Sequence, residues 1–316
     1  MNKISTRSAY GEALAEIGKD ERIVVLDADL QCCTRTEKFA ALYPERAFNV
    51  GIAEANMVGM AAGLAACGKT VFVNSFAMFT AGRAFEQIRN SLAYPRLNVK
   101  VIGTHAGVTV GKDGATHQCL EDLAAMRAIP GMMVLSPCDA NETKLVTKAI
   151  AAYDGPCFMR LGRLEVDQCT NLLPNYRFEL GKASKLADGP DVAIIATGLM
   201  VQEAMKALEL LRADGIEATV LDIHCVKPLD VQAVLAAADK CGCIVTAEEA
   251  NILGGLGGAV AEVVCESCPV PVLRVGVRDE FGRSGDPLAL MELYHITAAD
   301  IAAKAVAAVH LKKAHG

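Results

Sequence analysis

Glu54 is the one ionisable residue in GIAEANMVGMAAG (51–63), a run that is otherwise almost entirely small or apolar. Taking an ionised carboxylate out of water is costly unless the group is paired or neutralised. A carboxyl so placed is suited to proton chemistry, because burial raises its pKa. The plainer alternative is an acid in a first helical turn, favoured by the macrodipole and followed by an ordinary core helix. A second group of reactive side chains lies in DGATHQ (113–118), where an Asp113-Gly114 turn sets a carboxylate and the His117 imidazole four residues apart on one loop. NSFAMF (74–79) offers Phe76 and Phe79 at helical spacing, His105 closes an apolar run at 99–103, and Arg163 follows GPCFMRLG. Singly, these read as core aromatics, loop histidines and a solvated arginine.

The elements that must hold these residues follow from composition and periodicity. A chain of 316 residues, 52% hydrophobic but only 5% aromatic and without tryptophan, suits helices packed on sheets in about two domains. A net charge of −6 offers no basic footprint for nucleic acid. No long uncharged apolar run appears and the N-terminus lacks a signal-peptide core, so the expectation is a cytoplasmic protein without a membrane span. The twelve cysteines read as buried free thiols. Cys241 with Cys243 and Cys265 with Cys268 lack a nearby His or a second pair, so no metal site is expected from them.

Along the chain, short apolar strands alternate with helices, the pattern of a parallel α/β sheet covered on both faces. The spacing predicts a helix over 6–18, strands at 22–26, 70–73, 99–103 and 132–135, and helices after Glu54, near 80–92 and near 139–152. A first domain is expected over 1–166, a surface connection over 167–185, and a second α/β domain over 186–316. In the second, strands are predicted at 191–196, 217–221, 243–246 and 271–275, with helices near 200–213, 230–239, 256–266 and 298–309. The segment GGLGGAV (254–260) departs from the dinucleotide template, with Val260 where a third glycine should stand, and reads better as a helix N-terminus packed on a sheet.

Together the segments resemble the C-terminal half of a transketolase, a thiamine diphosphate-binding pyrimidine domain followed by the transketolase C-terminal domain. The resemblance runs from Arg7 essentially to the C-terminus, and is carried by GIAEANMVGMAAGLA, DGATHQ with upstream His105, VKPLD (226–230), EEANILGGLGGAV and DEFGRSG (279–285). It implies that Glu54 hydrogen-bonds the cofactor's pyrimidine ring, that Phe76 and Phe79 flank that ring, and that Asp29 in DADL lies near the cofactor. It implies that Asp113 binds a donor hydroxyl and that His117 bonds substrate oxygen and moves protons. Arg7, His105 and Arg163 would hold a sugar phosphate, joined by a residue of Cys33, Thr34 or Arg35. Two departures stand out: Ala115 replaces the usual proline, and QCCTRT replaces the hydroxyl-bearing phosphate contact after DADL.

The family holds the diphosphate through a divalent cation on a Gly-Asp-Gly segment, which this sequence lacks. The resemblance therefore implies a split enzyme: an N-terminal transketolase subunit brings the diphosphate and Mg2+ site, two copies of each subunit assemble, and sugar phosphates react at the interface. Alternatives within the resemblance are the β subunit of a 2-oxo-acid dehydrogenase E1 component and a deoxyxylulose-phosphate synthase-like enzyme. A catalytically silent regulatory subunit is the alternative of another class.

Overall fold

The computed structural model describes residues 3–171, 173 and 176–315. The first half runs β1 (Ile4–Ser5), α1 (Thr6–Ile17), β2 (Ile23–Asp27), α2 (Gln31–Thr34), α3 (Glu37–Leu42), β3 (Ala47–Asn49), α4 (Glu54–Ala66) and β4 (Thr70–Phe76). Two π-helical turns, Met78–Arg83 and Ile88–Ala93, then flank the single turn α5 (Phe85–Gln87), where the sequence predicts one helix. There follow β5 (Val99–Thr104), α6 (Asp122–Ala128), β6 (Met133–Leu135), α7 (Ala140–Ala152), β7 (Cys157–Arg160) and β8 (Glu165–Val166). The second half runs β9 (Ser184–Ala187), β10 (Val192–Ala196), α8 (Met200–Ala213), β11 (Ala218–Asp222), β12 (Cys225–Lys227), α9 (Val231–Cys241) and β13 (Ile244–Asn251). It closes with α10 (Leu256–Ser267), β14 (Val272–Val277), α11 (Pro287–Leu293) and α12 (Ala298–His315).

Among the described residues the strands form two main sheets covered by helices. The order in the first is β12-β6-β7-β5-β4-β2-β3, parallel except for β12, and in the second β14-β13-β10-β11-β9, parallel except for β9. Runs such as Val71–Val73 and Val192–Ala196 are buried along their whole length, as parallel strands covered on both faces must be. Beside the sheets, β1 pairs with β8 antiparallel, bringing residues 4–5 against 165–166.

Two expectations change. The strand predicted at 243–246 continues to Asn251, because Glu248 and Glu249 are buried with backbone donors. Helix α12 reaches His315, beyond the expected end at 309. The connection over 167–185 is anchored near its start, where Asp139, the N-cap of α7, also accepts from the backbone N–H groups of Cys169 and Thr170. Strand β12, from the second half, joins the first sheet beside β6, with Cys225 opposite Leu135. No helix among the described residues is long and apolar enough to cross a membrane.

Candidate active site

Strands β2, β3, β4, β5 and β7 run parallel, so all five end on one rim. Open α/β sheets bind ligands outside the carboxyl ends of their strands. Asp29 follows β2, Glu54 follows β3, Phe76 ends β4, His105 follows β5 and Arg163 follows β7. Arg7 comes from the first turn of α1, and Asp113 and His117 from the loop between β5 and α6.

Glu54 is 4% exposed, and its polar partner among the described residues is Arg83, whose Nη1 lies 3.3 Å from Oε1. The guanidinium of Arg83 also lies over the Phe79 ring, 4.2 Å from its centroid. No sequence pattern marks Arg83. Its place on a π-helical turn, four residues after Phe79, is set by the irregular backbone and not by a heptad. Phe76 and Phe79 stack at 5.7 Å with their planes 17° apart, and the other neighbour of Phe76 is the His105 ring at 3.9 Å. Phe76 is thus the buried middle of an aromatic stack, because it faces the end of the neighbouring β5, while Phe79 lines the adjoining cleft. The edge of the His117 ring meets Phe79 at 5.3 Å and Phe76 at 6.0 Å.

On the other side of this stack the charges turn positive. Arg7 Nη1 lies 3.2 Å from His105 Nε2 and donates to the Cys33 carbonyl at 2.8 Å. Arg has donors only, so Nε2 accepts. The proton of His105 therefore sits on Nδ1 and is given to Thr104 Oγ1, 2.9 Å away. Burial, and then the charges of Arg7, Arg163, His117 and Arg35, lower the His105 pKa to about 3, so the ring is neutral near pH 7. Burial and the neighbouring Arg35 and Arg163 lower the pKa of Arg7 as well. Arg163 Nη1 reaches Asp113 Oδ2 at 3.3 Å and the Val110 carbonyl at 3.1 Å, so the loop acid is tied to a guanidinium. His117 Nδ1 lies 2.9 Å from Thr116 Oγ1. The guanidinium groups of Arg7, Arg35 and Arg163 all lie near enough to His105 to act on its charge, and two of them are paired, Arg35 with Glu37 and Arg163 with Asp113.

Asp29 stands apart from that group. It is exposed, has a positive φ of 65°, and exchanges hydrogen bonds with Asn49 at the end of β3. The buried acid of DADL is Asp27, which accepts from Leu30 N, Thr34 Oγ1 and Thr36 Oγ1 and whose pKa burial raises. Thr34 is turned inward by this bond, which removes it from the three candidate phosphate contacts. Cys33 offers its carbonyl to Arg7, and Arg35 pairs with Glu37 at 3.5 Å.

The glycine-rich segment is closed to a dinucleotide. The Glu248 carboxylate already takes the N–H groups of Leu256 and Gly257 at 2.8 Å each, and a Cβ at Gly255 would collide with it. Cys138, Glu142 and Asp222 also converge. Their contacts are mutual: Glu142 accepts from Cys138 N and Tyr176 O–H, and Cys138 Sγ donates to Asp222. A cleft of about 570 Å3 beside Phe79 and Arg83 is walled by Ala115, Thr116 and Gln118 on one side and by Asp279 to Gly282 on the other. It adjoins the aromatic stack without including Glu54.

Comparison with known proteins identifies the family. Residues 2–168 match the family described as transketolase, pyrimidine binding domain, and residues 181–301 match transketolase, C-terminal domain. The chain is 49% identical over 298 residues to a putative transketolase C-terminal section of Methanocaldococcus jannaschii, covering 94% of this chain and 93% of that one. It is 48% identical over 296 residues to the 6-deoxy-6-sulfo-D-fructose transketolase subunit SqwH of Clostridium sp., covering 93% and 91%. A solved structure titled "Split gene transketolase, inactive beta4 tetramer" superposes with a TM-score of 0.89 at 48% identity, covering 98% of this chain and all of that one. The two-domain α/β chain, with its rim of acid, aromatic and basic side chains, belongs to the transketolase family.

Proposed function

We propose that this chain is the C-terminal subunit of a split transketolase, moving a two-carbon ketol unit from a ketose phosphate to an aldose phosphate with thiamine diphosphate. The observation that carries this reading is the meeting, on one sheet rim, of a buried carboxyl, an aromatic stack and a basic cluster. The residues fit the pyrimidine half of the cofactor: buried Glu54 is joined through Arg83 to Phe79, whose ring lines a cleft. When bound, thiamine diphosphate supplies the nucleophilic carbon and the electron sink for carbon–carbon cleavage. Glu54 would hydrogen-bond a ring nitrogen of the pyrimidine. The face of Phe79 would orient the ring. Arg7 and Arg163 would hold the substrate's distal anion, with neutral His105 fixing Arg7 through Nε2, while Asp113 binds a hydroxyl and His117 carries protons at substrate oxygen. Asp29 would stand at the cofactor's edge.

Mg2+ and the diphosphate ligands belong, in this reading, to an N-terminal subunit, with two copies of each chain in the assembly. Support comes from the described relatives of similar length and from α4, which presents an uncovered apolar face. Free thiols at all twelve cysteines suit a reducing, cytoplasmic setting. Residues 1–166, 167–185 and 186–316 serve as pyrimidine-binding domain, linker and C-terminal domain.

A second substrate class rests on the same basic cluster. Guanidinium groups bind a sulfonate as they do a phosphate, and one relative is named for a sulfo-sugar. The test is ketol transfer from xylulose 5-phosphate, and separately from 6-deoxy-6-sulfofructose, to an aldose phosphate. It is run with cofactor and Mg2+ by the mixed subunits and by each alone. Activity is expected in the mixture only, and Glu54→Gln should abolish it with the fold intact; a near-normal rate in that variant would remove Glu54 from the mechanism.

A further inference from the structure

The segment DEFGRSG has no part in the chemistry described so far, yet it is packed against the loop that carries Asp113 and His117. Gln118, next to His117, is buried, and its Nε2 donates to the Arg283 carbonyl at 2.8 Å as well as to Val108 and Gly111 at 3.0 and 3.2 Å. Ser284 Oγ donates to the Lys112 carbonyl at 2.6 Å, beside Asp113. The two segments touch too closely for larger residues. A Cβ at Gly282 would collide with Gln118 Oε1, and one at Gly111, where φ is +83°, would press on Pro287 and Gly285. Deeper in, Glu249 of β13 accepts from Thr109 N at 2.7 Å, and Arg160, paired with Asp122, donates to the Glu249 and Cys119 carbonyls. The substrate loop is therefore held from the second domain at both its start and its end.

We infer that the second domain acts as the positioning device of the substrate loop, with Gln118 and Ser284 as positioning residues that set where Asp113 and His117 stand. This rests on the proposed function for the roles of those two residues, but not for the latch itself. The loop contains three glycines with positive φ, at 107, 111 and 114, and exposes Asp113 at its tip. Such a backbone has many accessible conformers, and external hydrogen bonds select one of them. Positioning errors near 1 Å at a reacting group lower rates about 100-fold.

The test uses Gln118→Glu, which keeps the shape but turns a carboxylate oxygen toward three carbonyls, and the milder Ser284→Ala, with Ser284→Thr as the conservative control. In the reconstituted two-subunit enzyme, kcat/KM for the sugar phosphate should fall about 10- to 100-fold in Gln118→Glu and less in Ser284→Ala. The affinity for thiamine diphosphate should hold in both variants, the melting temperature should hold in Ser284→Ala, and Ser284→Thr should restore the rate. Amide hydrogen exchange in residues 107–118 of the chain alone should accelerate in Gln118→Glu, whether or not the enzyme is a transketolase. Unchanged exchange and unchanged kinetics in both variants would overturn the latch. A wild-type mixture with no ketol transfer, combined with faster exchange in Gln118→Glu, would overturn the function and leave the latch standing.

Discussion

His105 shows how one buried residue takes its state from its neighbours. Arg7 gives it a hydrogen bond at Nε2, the surrounding charges are positive, and its pKa falls to about 3. Between that value and the ordinary 6.5 the unfolded chain binds a proton that the folded chain does not, so stability rises with pH across this window. The contribution is fully present above 6.5 and is lost as pH falls toward 3. Urea unfolding from about pH 7 to about pH 4 should therefore show a steeper acid loss in the wild type than in His105→Asn. The difference is at most about 1.4 kcal/mol per pH unit from this group. Equal slopes would mean that His105 is already protonated in the folded protein. The same rim carries the buried acid Glu54, whose partner Arg83 is 54% exposed and lies over the Phe79 ring.

At the scale of the element, α4 departs from the core helix that its composition suggests. Its inner face is Glu54, Met57, Val58 and Ala61, whereas Ile52 just before it is 74% exposed, Met60 is 40% exposed, and Gly59 and Gly63 face open space. An apolar face left uncovered on the helix that starts at Glu54 fits an assembly in which a second chain closes over the site. Met60→Lys should leave the stability of the isolated chain within about 0.5 kcal/mol, since it replaces an exposed side chain. It should weaken association, because a lysine in an apolar interface must be desolvated. Sedimentation of the variant, alone and with the proposed N-terminal subunit, checks this; wild-type association would place the interface elsewhere.

Across the whole molecule, the two halves are not separable as their strand patterns suggest. One apolar cluster contains Leu26, Val73 and Phe158 of the first sheet together with Ile195, Leu221 and Leu256 of the second half. β12 supplies the outer strand beside β6, and Arg160 reaches across to the Glu249 carbonyl. A fragment of residues 1–166 loses all three, so it should bind hydrophobic dyes and unfold without a cooperative transition; a sharp two-state melt of that fragment would show the first domain to be autonomous. Much of this architecture was legible in advance. Strands at Val99–Thr104, Met133–Leu135 and Val192–Ala196 and helices such as Ala140–Ala152 declare themselves through local apolar periodicity, which a linear reading captures. Short β7 did not, because four residues between turns carry too little pattern. Of the site, the sequence by itself determined the residue types on the rim, because parallel strands followed by polar loops bring their ends to one side. Only the tertiary structure decided that Arg83 meets Glu54, that Asp27 and not Asp29 is the buried acid, and that Thr34 turns inward. It also decided that Gln118 binds Arg283 from 165 residues away. The contacts of Arg83 and Gln118 join segments 29 and 165 residues apart, while the inward turn of Thr34 onto Asp27 is local; all of them depend on how whole elements pack, which no local pattern encodes.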